Sequence, residues 1–419
     1  MKNKRAHIDR RTFLAASASA LAAPLFVPGS VFGFNGGVSP SNKIVLFHIG
    51  LGNRGNELLG GFLNNANFRS LGVCDCYKDH LNRAADRVKN HYHINSVPTY
   101  AHYEDVLQRD DFDAIVCACP DHWHTKISVE ACQAGKDVYC EKPLTFTLME
   151  SRQIVAAARK YDRVVSSGSQ RVMEDYGQYL APIIMSGAIG EVKEIYANCG
   201  GAPSERTYDP EPCPPEVDWD AWVGQAPYFE YSRRAIDPMT WRYNSAFGTG
   251  GLGDWGGHNF GGALYSCGMD HVAPKKIFAP NTEANPFNGV KIEMENGVNF
   301  FHGDYPGAGS NITIVGTEGT YIFGKTKDIR ALKAVDVRRY SGGTDNIADD
   351  FLYCVRHRTR PFQDVFYGAN VSDFGHMCII AYKLQRDLVW DKEKMEFVGD
   401  REATAMVSKI QRAPYQIEV

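Results

Sequence analysis

The chain has 419 residues, of which 44% are hydrophobic, 12% aromatic and 22% charged, with a formal net charge of −4. Such a composition describes a globular protein, and the length points to two domains. The slightly acidic balance excludes an electrostatic nucleic-acid binder, and no apolar run approaches the roughly 18 residues of a membrane-spanning helix.

The chain opens with "KNKRAHIDRRTFLAASASALAAPLF", in which Arg10 and Arg11 precede Phe13, Leu14 and an Ala-rich apolar run. Basic charge, then apolar residues, then small residues is the order of an export signal, and the twin arginine marks the Tat type. Residues 1–33 therefore read as a leader to the periplasm and residues 34–42, "FNGGVSPSN", as a linker. No cysteine precedes Cys74, so a lipid-anchored N-terminus is not expected.

From residue 43, "KIVLFHIGLGNRG" is a strand running into Gly50, Gly52 and Gly55, and a helical "NELLGGFLN" follows. A second strand, "SLGVCDCY", carries Asp75 twenty residues after Gly55. Strand, G-x-G-x-x-G, helix, strand and acid form the context of a dinucleotide-binding turn. Gly50 permits the tight turn, Gly52 the approach of a pyrophosphate, and Gly55 close helix packing. Asn53 and Arg54, within the same turn, are further candidates for cofactor contact, and the N-terminus of the helix that follows faces the phosphates. Asp75 would bond ribose hydroxyls and repel a 2′-phosphate, favouring NAD over NADP; its structural alternative is a helix N-cap.

Alternating helices and strands continue through "YEDVLQRD", "DAIVCACP", "KISVEACQAG", "KDVYCEKP", "LMESRQIVAAARKY" and "RVVSSGSQR". That alternation predicts a doubly wound parallel sheet over residues 43–170, with ligands beyond the carboxyl ends of its strands. Pro120 and His124 in "CPDHWH", Glu141 and Lys142 in "CEKP", and Gln170 in "SGSQR" lie at such ends, where they would border a cofactor. Arg171 follows Gln170 at the same edge. The eleven cysteines include Cys74 and Cys76, and Cys117 and Cys119, within strand-like runs. They read as small buried side chains, and no metal site is expected from them or from His122 and His124.

Past residue 190 the texture changes. "GEVKEIYANCGG", "KKIFAP", "VKIEMENGVNFFHG" and "SNITIVGTEGTYIFG" are short strands separated by turns. They predict an α+β domain over residues 171–419 with an open, mainly antiparallel sheet. "LGDWGGHNFGGALY" reads as one helix placing Asp254 and His258 on one face, and "SDFGHMCIIAYKLQRDLVW" as a closing helix. Trp241, Arg242, Tyr243 and Trp255 could wall a sugar site or simply pack between domains.

Together "GLGNRG", "PDHWH", "EKPLT", "SGSQR", "GLGDWGGH" and "VWDKEKMEF" resemble the Gfo/Idh/MocA family of nicotinamide-dependent sugar oxidoreductases, over essentially the whole chain after the leader. The resemblance implies a Rossmann domain joined to an open-sheet domain used for oligomerisation. A carbohydrate substrate and, in some members, a non-dissociating cofactor also follow. Carried over by position, Lys142 would touch the hydroxyl being oxidised, with Asp254 and His258 beside it. Hydride removal from a carbinol needs a proton acceptor and a cation for the alkoxide; His258 suits the first role and Lys142 the second, though the two could exchange. Gly261 departs from the family, many of whose members carry aspartate there. Implied activities are oxidation of a sugar or glycoside hydroxyl with NAD held tightly, redox-neutral glycoside hydrolysis through transient oxidation, or non-catalytic sugar sensing.

Overall fold

A six-stranded, wholly parallel sheet is built from residues 44–168. Its strands are β1 (Ile44–Ile49), β2 (Phe68–Cys74), β3 (Thr99–Tyr100), β4 (Ala114–Cys117), β5 (Asp137–Glu141) and β6 (Val165–Gly168), in the order β3-β2-β1-β4-β5-β6. The strands β4 and β5 are buried along their whole length, as expected where helices cover both faces of a parallel sheet. Those helices include α1 (Asn53–Asn64), α2 (Lys78–Tyr92), α3 (Tyr103–Leu107), α4 (Asp121–Gln133) and α5 (Leu148–Lys160). The sheet order reverses between β1 and β4, the switch point where doubly wound folds bind ligands.

The structure is a computed structural model and describes residues 39–337, 344 and 346–419. The leader over residues 1–33 and most of the linker lie outside the described residues. Residues 39–43 carry a 3-10 turn, Pro40–Asn42, and residues 44–419 form one compact unit.

Beyond β6 a helix with π-type turns, Val172–Leu180, runs into α6 (Ala181–Met185). The second sheet has eight strands: β7 (Val192–Ala197), β8 (Pro274–Phe278), β9 (Lys291–Met294), β10 (Asn299–His302), β11 (Ile312–Gly316), β12 (Thr320–Ile322), β13 (Leu388–Asp391) and β14 (Glu396–Phe397). Their order is β12-β11-β7-β10-β9-β8-β13-β14, antiparallel except between β7 and β10. Helices α7 (Gly250–Asp254) and α8 (Gly256–Ser266) precede β8, and α9 (Ile347–His357) and α10 (Val365–Leu384) follow β12. Phe260 and Phe374 pack edge-on against Phe300 on the covered face of this sheet. The face of α10 toward the first sheet reaches α5 through Asp373, which accepts from Ser151 at 2.7 Å.

Two expectations are corrected. The segment "LGDWGGHNFGGALY" is two helices, α7 and α8, meeting at Trp255. Its glycines are used for close approach: a Cβ on Gly257 would stand 2.9 Å from Lys142 Cβ. The closing helix also stops early. Gln385 caps α10 in the left-handed region, with its amide on Ala381 O at 2.9 Å, and "LVWD" becomes β13 paired with β8. Alternating apolar residues supply a sheet partner that helix periodicity cannot.

Candidate active site

The glycine turn joins β1 to α1. Gly50 has φ +81°, and a Cβ there would meet the Cys119 amide nitrogen at 2.7 Å; only glycine tolerates both. A Cβ on Gly55 would land on the Gly50 carbonyl. At Gly52, the N-cap of α1, the nearest atom to such a Cβ is His80 Cε1, 4.0 Å away. The approach to the helix N-terminus is thus open, with first-turn amides that lack intrahelical acceptors. A pyrophosphate fits this chemistry.

Asp75 stands just past β2 with its carboxylate turned to the turn. Its Oδ2 accepts from the Leu51 amide at 2.6 Å, its Oδ1 from the Tyr77 amide at 2.8 Å, and His80 Nδ1 lies 3.5 Å away. The N-cap position of α2 is Tyr77. Asp75 therefore braces the glycine turn while presenting a negative charge at the end of β2.

Arg54, on α1, reaches across to the ends of β5 and β6. It donates to Glu141 Oε1 at 2.7 Å and Gln170 Oε1 at 2.9 Å, with Glu57 at 2.9 Å. Glu141 is thereby engaged with Arg54 and not with the Lys142 ammonium. Pro120 takes the N-cap position of α4. His124, one turn on, has Nδ1 2.7 Å from Pro143 O and Nε2 2.9 Å from Cys119 O. Its ring joins the ends of β4 and β5 and offers no free nitrogen to a ligand.

Lys142 follows β5, and its ammonium forms an ion pair with Asp254, the last residue of α7. Arg242 Nε lies 3.5 Å from the same carboxylate oxygen. Burial opposes ionisation of Asp254, but the Lys142 ammonium and the Arg242 guanidinium outweigh it and hold the carboxyl below its usual range. Buried Asp121 sets the start of α7 by accepting from Thr249 N at 3.0 Å and Thr249 Oγ1 at 2.6 Å.

His258 sits in the first turn of α8. Its Nδ1 lies 2.7 Å from Ser169 Oγ, and Nε2 makes no hydrogen bond to the described residues. Burial first, then the Lys142 charge, pushes the imidazole down to about 3, with Asp254 opposing. The ring is neutral near physiological pH. The geometry thus brings together Lys142, Asp254, His258 and Arg242.

The aromatic residues divide. Trp255 remains 41% exposed, its ring 5.9 Å from His258 and under the Arg171 guanidinium at 5.1 Å. Trp241 instead packs on a cluster built from Val217, Trp219, Val223 and Phe247, with Arg242 over it at 4.7 Å. Tyr243 lies 6.0 Å beneath Arg206. His122 is buried between the carbonyls of Phe247 at 3.3 Å and Trp222 at 3.2 Å. No group of three or more His, Cys, Asp or Glu residues suited to a metal occurs among the described residues. At Gly261 the Tyr367 hydroxyl occupies the space a side chain would need. Sequence reading missed Ser169, Asp121 and Gln363, because each acts through partners distant in sequence.

Residues 46–169 match the model of the oxidoreductase family's NAD-binding Rossmann fold, and residues 202–417 match that of its C-terminal alpha/beta domain, both of the Gfo/Idh/MocA group. A glycosyl hydrolase family 109 protein of Shewanella baltica is 30% identical over 151 residues, covering 35% of this chain and 32% of its own. The chain spans about a third of the length of such curated relatives. Myo-inositol 2-dehydrogenase from Lactobacillus plantarum superposes with TM-score 0.57 at 18% identity, over 83% of this chain and 100% of its own. The WlbA dehydrogenase of Bordetella pertussis, crystallised with NADH and UDP-GlcNAcA, gives TM-score 0.58 at 15% identity, over 84% and 98%. These structural likenesses show a shared fold.

Proposed function

The chain belongs to the Gfo/Idh/MocA oxidoreductases, with an NAD-binding Rossmann domain and a C-terminal α/β domain, and from that premise we propose that it oxidises a sugar or glycoside hydroxyl with tightly held NAD. The observation that carries this reading is the convergence of Lys142, Asp254 and His258 from three separate elements at the carboxyl edge of the parallel sheet. When bound, the nicotinamide supplies a hydride acceptor. The glycine turn and the α1 N-terminus would hold its phosphates, and Asp75 the adenosine ribose. Neutral His258 accepts the hydroxyl proton at Nε2, and the Lys142 ammonium stabilises the alkoxide left on oxygen. Asp254 holds Lys142 in place, with Arg242 behind it.

Redox-neutral glycoside hydrolysis is a second reading, supported by the family 109 relatives. Oxidation at C3 acidifies the neighbouring C–H, so the glycosidic oxygen leaves by elimination. Water then adds to the double bond, and reduction of the ketone restores the carbinol. The cycle consumes no net reductant. That suits export in a folded, loaded state, for which the leader-like residues 1–33 are the support. The open second sheet would serve a homo-oligomer, as the resemblance implies.

The test begins by denaturing the purified protein and identifying what it releases. Near-stoichiometric NAD or NADH is the expected result, and an empty site would overturn tight retention. Lys142→Met should then lower kcat by at least about 100-fold while the nucleotide stays bound. Undiminished turnover in that variant would overturn the assignment of Lys142.

A further inference from the structure

We propose that Ser169, clamped by Gln363, is a positioning residue that fixes His258 as its Nδ1–H tautomer and so reserves Nε2 for the substrate proton. The Ser169 hydroxyl oxygen lies 2.7 Å from His258 Nδ1 and 2.9 Å from the Gly257 carbonyl oxygen. A hydroxyl carries one hydrogen, and a carbonyl oxygen can only accept. Ser169 therefore donates to Gly257 and accepts from Nδ1–H. The opposite arrangement would leave two oxygens 2.9 Å apart with no hydrogen between them. A neutral imidazole protonated at Nδ1 has a bare Nε2, which is the form a proton acceptor needs.

The serine is itself held at two points. Its amide donates to Gln363 Oε1 at 3.1 Å, and Gln363 Nε2 donates to Ser169 O at 2.7 Å. The Gln363 carbonyl also accepts from the Ser167 amide at 2.9 Å. Gln363 is fully buried and stands just ahead of α10. A segment 194 residues away thus fixes the end of β6 beside the active site. Glutamate there could accept but not donate, and leucine could do neither. The charged groups acting on the ring are Lys142, Asp254, Arg171 and Arg54, and Trp255 lies at its edge. None of them hydrogen-bonds to it; Ser169 does. The consequence for turnover rests on His258 being the proton acceptor, whereas the tautomer does not.

The decisive experiment is nitrogen NMR of histidine-labelled protein with its nucleotide as isolated, His258 being assigned by loss of its signals in His258→Gln. The wild type should show a protonated Nδ1 and an unprotonated Nε2. Ser169→Ala should shift the proton toward Nε2, Ser169→Thr should restore the wild-type pattern, and Gln363→Leu should reproduce the effect of the alanine. In steady state Ser169→Ala should lower kcat about 10- to 100-fold with KM changed by no more than about twofold. A wild-type Nε2–H tautomer, or one unmoved by Ser169→Ala, overturns the proposal. A shifted tautomer with undiminished kcat would instead remove His258 as proton acceptor, and with it the catalytic half of the proposal.

Discussion

Asp75 shows how one side chain serves both fold and ligand. Its two oxygens accept the amides of Leu51 and Tyr77, so the carboxylate that should read the ribose also braces the turn that should cradle the phosphates. Asparagine keeps one acceptor and removes the charge that opposes a 2′-phosphate. Asp75→Asn should therefore narrow the preference for NAD over NADP by about tenfold, read from the ratio of the two dissociation constants in cofactor-stripped protein; an unchanged ratio would contradict the role. Lys142 could be found in the sequence because a strand end and a following proline mark it. Ser169 and Gln363 could not, because their meaning lies in a pairing across 194 residues that no local pattern reports.

At the scale of elements, local rules succeed where local interactions decide. Thr147 caps α5, accepting from Glu150 N at 3.3 Å, while Glu150 Oε2 accepts from Phe146 N at 2.9 Å. This reciprocal cap anchors the segment that follows Lys142. Thr147→Ala should cost about 1 kcal/mol in denaturant unfolding, and a loss of less than about 0.3 kcal/mol would show the cap to be idle. The parallel strands were legible because burial on both faces leaves continuous apolar runs. The break at Trp255 was not, because the glycines of α7 and α8 answer to Lys142 and Thr249 packed against them. Nor was β13, whose pairing with β8 joins residues more than a hundred positions apart.

For the whole molecule, buried titratable groups set opposing pH dependences. Burial holds His48, His122, His258 and His376 down to about 3, and His302 to about 4. The unfolded chain binds these protons near pH 6.5, so stability is complete above that pH and declines as pH falls. Burial likewise raises Glu150 to about 7, Asp350 to about 6 and Asp373 to about 8. Those carboxyls stay protonated when folded but ionise when unfolded, so their contribution shrinks as pH climbs from about 4 to about 8. Asp373→Asn removes one of the contributions that fall with pH, so the Tm of that variant relative to the wild type should rise as pH climbs from about 5 to about 8; a difference that stays constant across that range would contradict the assignment. At the same scale, Lys142 from the first sheet and Asp254 and His258 from the helices beyond it meet in one site. The most direct measurement is a single-turnover record of nicotinamide absorbance when purified, nucleotide-loaded protein is mixed with a panel of sugars and glycosides. A transient or lasting rise in reduced nicotinamide with at least one carbohydrate, lost in Lys142→Met, is the expected result. Turnover of a carbohydrate with no reduced nicotinamide at any time, or a rise that survives in Lys142→Met, would contradict it.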